Sequence, residues 1–236
     1  MSDFDRNVAA FPGAARTVAA DAGLRAHMIR VYNYMAGGVA LTGAVAYFTH
    51  LYFGPQLQGN PLMYVLIFAP FLLVMFLSFR IESLSASTAR MLFFVYAALL
   101  GASLSTIFAV YTGTSITRTF FVSAASFGAL SLWGYTTQRD LSAMGSFLIM
   151  GLFGIIIASL VNIFIASTML QWIVTVVGVI VFAGLTAYDT QRIKEMYSPM
   201  DDGTVAGRKA VMGALSLYLD FINLFLMMLR LFGDRR

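Results

Sequence analysis

The sequence predicts an all-α fold, a polytopic bundle of helices within a membrane, on three observations. Of 236 residues, 59% are hydrophobic and 11% charged, against roughly 25% charged in an ordinary soluble domain. Mean hydropathy is +0.80. The charges fall in short segments between apolar runs, each long enough for the roughly 20 residues that cross a hydrocarbon core of about 30 Å. One bundle accounts for the length and leaves no room for a sizeable soluble domain. The chain has no cysteine, which excludes disulfides, thiolate metal sites and cysteine nucleophiles. The net charge of +4 does not indicate nucleic acid, because the basic residues sit at the ends of apolar runs, where membrane proteins keep them.

Residues 1–30 mix arginines with Asp3, Asp5 and Asp21 and are expected to be a polar N-terminal tail; residues 31–236 form the transmembrane domain. From Val31 to Phe79 no Asp, Glu, Lys or Arg occurs, about twice the length one span needs, and GPQLQGNP (54–61) supplies the break. Helices are therefore expected near 31–53 and 62–79. RIESLSASTAR (80–90) is a polar loop, one helix fits 91–117, and Arg118 separates it from another over 119–138. The turn QRD (138–140) closes that stretch. Residues 141–188 make a fifth and a sixth helix with the break at ASTMLQ (166–171), and 188–209 is the longest polar connection. The seventh apolar stretch, about 210–232, is long enough to cross, which favours seven crossings over six with a re-entrant seventh. With a cytoplasmic N-terminus, eleven of the fifteen basic residues lie inside and only Arg118 lies in an outside loop. Arg230, Arg235 and Arg236 would then lie outside, against the usual bias.

LSLYLDFINLFLMMLRLF (215–232) carries Asp220 near its centre. A carboxylate at a helix centre costs roughly 2.5 to 3.5 kcal/mol on insertion scales, so it is expected to face the bundle interior, pair, or mark a pathway. Ser216 and Asn223 share its helical face, and Arg230 follows at i+10, so the four are expected to form a polar seam. A neutral Asn or Ser would join helices at lower cost, which points to function for Asp220. Asp189 lies at the end of the sixth helix with Arg192 at i+3; alone it would be an interfacial charge. If the connection brings it to Asp220, two carboxylates in a poorly solvated site resist ionising together and titrate as a coupled unit, a proton switch. Arg80, at the end of the second helix, is expected to compete with the proton, although it also suits ordinary anchoring and Glu82 stands near enough to pair with it. His27 and His50 have no helical partner at ligand spacing, so no histidine metal site is expected.

AYDTQRIK (187–194) and LSLYLDFINLFLMMLRLFG (215–233) resemble the two signature segments of the Bax inhibitor-1 family, the transmembrane Bax inhibitor motif proteins, in a bacterial member. The resemblance implies six helices around a central C-terminal seventh, no tightly bound cofactor, and a pH-sensitive leak of calcium through the inner membrane. Asp189 and Asp220 fall on the family's paired aspartates, which also makes them transient calcium ligands, since carboxylate oxygens suit that cation. Arg80 falls near the basic cluster that locks the pair, thinned here to one Arg followed by Ile-Glu-Ser. Bacterial members also resemble modulators of a membrane-embedded ATP-dependent protease, for which residues 1–30 would be the contact. Intramembrane aspartyl proteases place glycines around their second aspartate; here the residues are Tyr218 and Leu219, so no enzyme activity is expected.

Overall fold

The computed structural model describes residues 12–57 and 60–236. These form α1 (Pro12–Leu57), α2 (Leu62–Arg80), a 3-10 turn (Ile81–Ser83), α3 (Ala86–Leu104), a short α4 (Ile107–Val110), α5 (Gly113–Thr136), α6 (Ser142–Ile165), α7 (Thr168–Glu195) and α8 (Gly203–Phe232). The one extended pairing among the described residues is a single bridge between Tyr111 and Arg235. By length and composition α2, α3 with α4, α6, α7 and α8 can each cross a membrane.

The bundle is organised around α8, of whose spanning window 72% is buried, against 11% for α2 and for α6. It packs on α1, α3, α5 and α7, while α2 lies mainly against α3 and α6 against α7. In lipid no hydrophobic drive joins one apolar helix to another, so close van der Waals fit and interhelical hydrogen bonds must do so. Ala210 and Ala214 of α8 are fully buried, and Gly207 and Gly213 lie directly on Ala86 and Ile193. α5 turns a stripe of Ser115, Thr119, Ser123, Phe127 and Ser131 inward, every fourth residue, and leaves Phe121 and Leu132 exposed to lipid.

Two buried hydroxyl chains tie the helices together. Thr42 donates to the Ala97 carbonyl at 2.9 Å, so the Tyr218 hydroxyl, 2.6 Å away, donates to Thr42. This joins α8 to α1 and α3, with Phe93 and Tyr96 edge-on to the Tyr218 ring. Thr190 donates to Thr186 within α7 at 2.7 Å; Ser131 of α5 therefore donates to Thr190 at 2.8 Å and Tyr32 of α1 to Ser131 at 2.7 Å.

Three expected boundaries differ. Residues 1–11 of the expected tail lie outside the described residues, but α1 begins at Pro12 and runs through position 30 without a break. The expected helix over 91–117 ends instead at Leu104, and α5 begins at Gly113, so Arg118 lies inside a helix. The break is uncharged: Thr112 caps α5 by accepting from the Ser115 N–H. Finally α8 starts at Gly203, where Asp202 accepts from the N–H groups of Thr204 and Val205 at 2.8 and 2.7 Å. The α7–α8 connection is thus far shorter than the sequence suggested.

The connection is held from several sides. Lys209 pairs with Asp201 at 2.6 Å, Arg208 donates to the Glu82 carbonyl, and Tyr197 packs on Gly23 and on the ring of His27, 5.8 Å away. His27 is 6% exposed and its Nε2 has no hydrogen-bond partner among the described residues. Burial, then the positive charges of Arg30 and Lys209, hold its pKa below the ordinary 6.5, against an opposing pull from Asp201 and a hydrogen bond to the Ile193 backbone. The folded state therefore binds this proton less readily than the unfolded chain, so the contribution is fully present above about pH 6.5 and is lost as pH falls toward the lowered value. Thermal unfolding in detergent at pH 7.5 and pH 5.5 checks this: His27→Phe is expected to narrow the difference between the two midpoints, and an unchanged difference refutes the assignment.

Candidate functional site

Nearly every residue of AYDTQRIK is fixed by a neighbouring helix. Ala187 lies against Gly134 of α5, where no Cβ fits, and the Tyr188 ring covers Gly145 of α6. Thr190 is bound by Ser131; Gln191 accepts from the Leu141 N–H and donates to the Arg139 carbonyl, each at 2.8 Å. Ile193 packs on Gly213, and Lys194 donates to the Tyr135 carbonyl at 3.0 Å with its ammonium over the Tyr135 ring. Asp189 is the member directed at α8: its carboxyl group and that of Asp220 lie within hydrogen-bonding reach of each other.

Asp220 is 5% exposed, and its Oδ2 receives no hydrogen bond from an N–H or hydroxyl group among the described residues. Asp189 is half-buried, toward the end of the bundle where the N-terminal part of α1 and the α2–α3, α5–α6 and α7–α8 connections gather. A carboxyl–carboxyl hydrogen bond requires one proton between the two groups. The arrangement can therefore hold or release a proton, and with it a change of charge, at the contact between α7 and α8.

The other expected site residues are placed differently. Arg80 is exposed at the end of α2, and the cation whose charge acts on Asp189 is Arg192, one turn along the same helix. Ser216 and Asn223 are half-buried; the Asn223 amide is turned back to the Leu219 carbonyl of its own helix at 2.8 Å. Arg230 does not join a seam with Asp220. Ten residues at about 1.5 Å each put it roughly 15 Å away along the axis, at the opposite end of the bundle, where it lines a cavity with Tyr111 and Arg235. Sequence reasoning passed over the two hydroxyl chains, whose signal was Thr and Tyr in mid-helix positions.

Beyond Asp220 on α8, Phe221 and Phe225 meet Phe120 and Phe127 of α5 edge-on, at centroid distances from 5.6 to 6.2 Å. Past this aromatic cluster lies a cavity of about 530 Å³ between α1, α4, α5 and α8, with Thr42, His50 and Arg236 among mostly apolar walls.

Residues 24–236 match the family model described as inhibitor of apoptosis-promoting Bax1. The chain is 48% identical over 235 residues to the inner membrane protein YbhL of Escherichia coli (strain K12), covering 96% of this chain and 99% of that one. It is 46% identical over 223 residues to an uncharacterized protein of Rickettsia prowazekii, covering 92% of each. To an uncharacterized membrane protein of Streptococcus pyogenes it is 37% identical over 217 residues, covering 90% of this chain and 94% of the relative. With the family model matched from α1 to the last residue and close relatives spanning almost their full length, this membrane protein belongs to the Bax inhibitor-1 family.

Proposed function

We propose that the chain is a pH-sensitive leak channel for calcium in the bacterial inner membrane, crossing it seven times with a cytoplasmic N-terminus and controlled by Asp189 and Asp220. The observation that carries this is the meeting of the two carboxyl groups, one from α7 and one from α8, inside a bundle whose composition suits hydrocarbon. Among the described residues, seven helices of 19 residues or more, joined by short connections, support the crossing number. The basic residues at the Asp189 end support the orientation.

In this reading negative charge on the pair is held by Arg192, in the role the sequence suggested for Arg80, and by a cation that bridges the carboxylates. Two carboxylates offer fewer oxygens than the roughly six to eight that calcium takes, which suits passage better than storage. As pH falls, protons neutralise the pair, Arg192 and the cation lose their partner, and α7 and α8 loosen. The path then runs along α8 past the Phe120, Phe127, Phe221 and Phe225 cluster to the cavity between α1 and α5. No covalent step is involved. Calcium flux into liposomes containing the purified chain is expected to rise as pH falls from 8 to 6; equal flux at both values ends the proposal.

A further inference from the structure

Arg230, Arg235 and Arg236 lie at the end of the bundle where basic residues are otherwise scarce, and the leak path makes no use of the first two. The tail after α8 is pinned through its backbone. The Thr112 N–H donates to the Asp234 carbonyl at 3.1 Å, the Arg236 N–H to the Val110 carbonyl at 3.0 Å, and the Asp234 N–H to the Ser115 hydroxyl at 2.9 Å. Successive side chains of extended backbone point to opposite sides. Arg235 accordingly lines a cavity of about 550 Å³ with Arg230, whereas Asp234 and Arg236 line separate ones.

Ser159, Asn162, Gln171 and Tyr111 complete the polar wall of that cavity, and no acidic side chain lines it. The Asn162 Oδ1 already accepts from the Ser167 N–H at 3.0 Å, which leaves its NH₂ as a donor. Among the described residues the ion pair is Lys209 with Asp201, and neither arginine has a carboxylate partner there. Two guanidinium groups beside further donors, with no carboxylate, match the oxygens of a phosphate. Ile163, also in the wall, is 73% exposed and its neighbour Phe164 is 89% exposed, so the cavity's rim continues into surface suited to acyl chains.

We propose that this cavity binds the phosphate of an anionic phospholipid in the leaflet at the C-terminal end of α8, with Arg230 and Arg235 as its ligands. The site is independent of the leak reading and survives its failure. It also accounts for the two arginines that the positive-inside tendency disfavours there: the lipid phosphate supplies their counter-charge.

The test uses the full chain in detergent, with thermal protection and lipid retention in native mass spectrometry as readouts. The probes are phosphatidylglycerol, phosphatidylcholine and inorganic phosphate. Phosphatidylglycerol is expected to protect wild type more than phosphatidylcholine, and less so at high ionic strength. R230Q/R235Q is expected to weaken its apparent affinity by about tenfold or more. Both side chains are exposed and the tail is held by backbone bonds, so this variant keeps the fold; Arg118→Gln, outside the cavity, should bind as wild type does. If inorganic phosphate protects while phosphatidylglycerol is no better than phosphatidylcholine, the lipid assignment falls and a free-anion site replaces it. Equal protection of wild type and R230Q/R235Q, or none of wild type, overturns the site.

Discussion

Asp220→Asn is expected to flatten the pH response of calcium flux. An amide has the shape of the carboxyl group and can donate to Asp189, so the α7–α8 contact is kept while one of the two titrating groups is lost. Control by a protonation step gives a change on the order of tenfold per pH unit where the group titrates, and the wild-type rate between pH 8 and 6 should approach that. The variant's rate should change by less than about twofold over the same range. Removal of a buried ionisable group also lowers the burden on folding, so the variant should unfold no more readily than wild type. A stable Asp220→Asn protein that retains the full response would reduce the aspartate to a packing residue. Asp189→Asn should behave in the same direction, since a coupled pair loses its behaviour with either member.

Gly134→Ala is expected to cause the largest loss of stability among single-methyl changes at the site. The added Cβ would lie on the carbonyl oxygen of Ala187 and 2.9 Å from both its carbonyl carbon and its Cα. These are backbone atoms, which no rotamer change can move, so α5 and α7 must separate. Overpacking of this kind costs about 1 to 3 kcal/mol, and here it acts two residues before Asp189, so the pair should separate and the pH response weaken as well. Gly128, in the same helix, has nothing within 4 Å of its would-be Cβ; Gly128→Ala should be neutral or gain up to about 1 kcal/mol from helix propensity. Unfolding by denaturant in detergent, with the two variants beside wild type, decides the matter. Equal midpoints would mean that the α5–α7 contact is looser than described.

The elements were legible where polarity interrupts hydrocarbon. The breaks at 54–61, 80–90, 138–140 and 166–171 all separate helices: the first three hold charge, Pro or Gly, and the fourth is marked only by the polar Ser167, Thr168 and Gln171. Arg118 misled because one long cationic side chain near a helix end can reach the interface without ending the helix. The true break over 105–112 carries no charge and is set by a hydroxyl cap, a weaker signal. Asp189 and Asp220 stood out because carboxylates are rare in such runs. The residues that hold them did not, since Gly134 and Ser131 are ordinary small residues until the contacts with α7 give them a task. That Arg192, not Arg80, stands near Asp189 was hidden for a related reason: charge at a helix end reads alike whether or not a carboxylate stands beside it.

The helix at the centre of this bundle is also the one synthesised after all its neighbours. As the ribosome releases α1 to α7, these segments enter the bilayer around a place not yet filled. Ser123, which later donates to the Met228 sulfur at 3.3 Å, and Phe93, which later meets the Tyr218 ring, must then face lipid or one another. A nascent chain stopped before residue 203 has walls and no centre. Burial of α8 is thus the step that completes the packing of the helices made before it, so the order of translation sets the order in which these contacts can form.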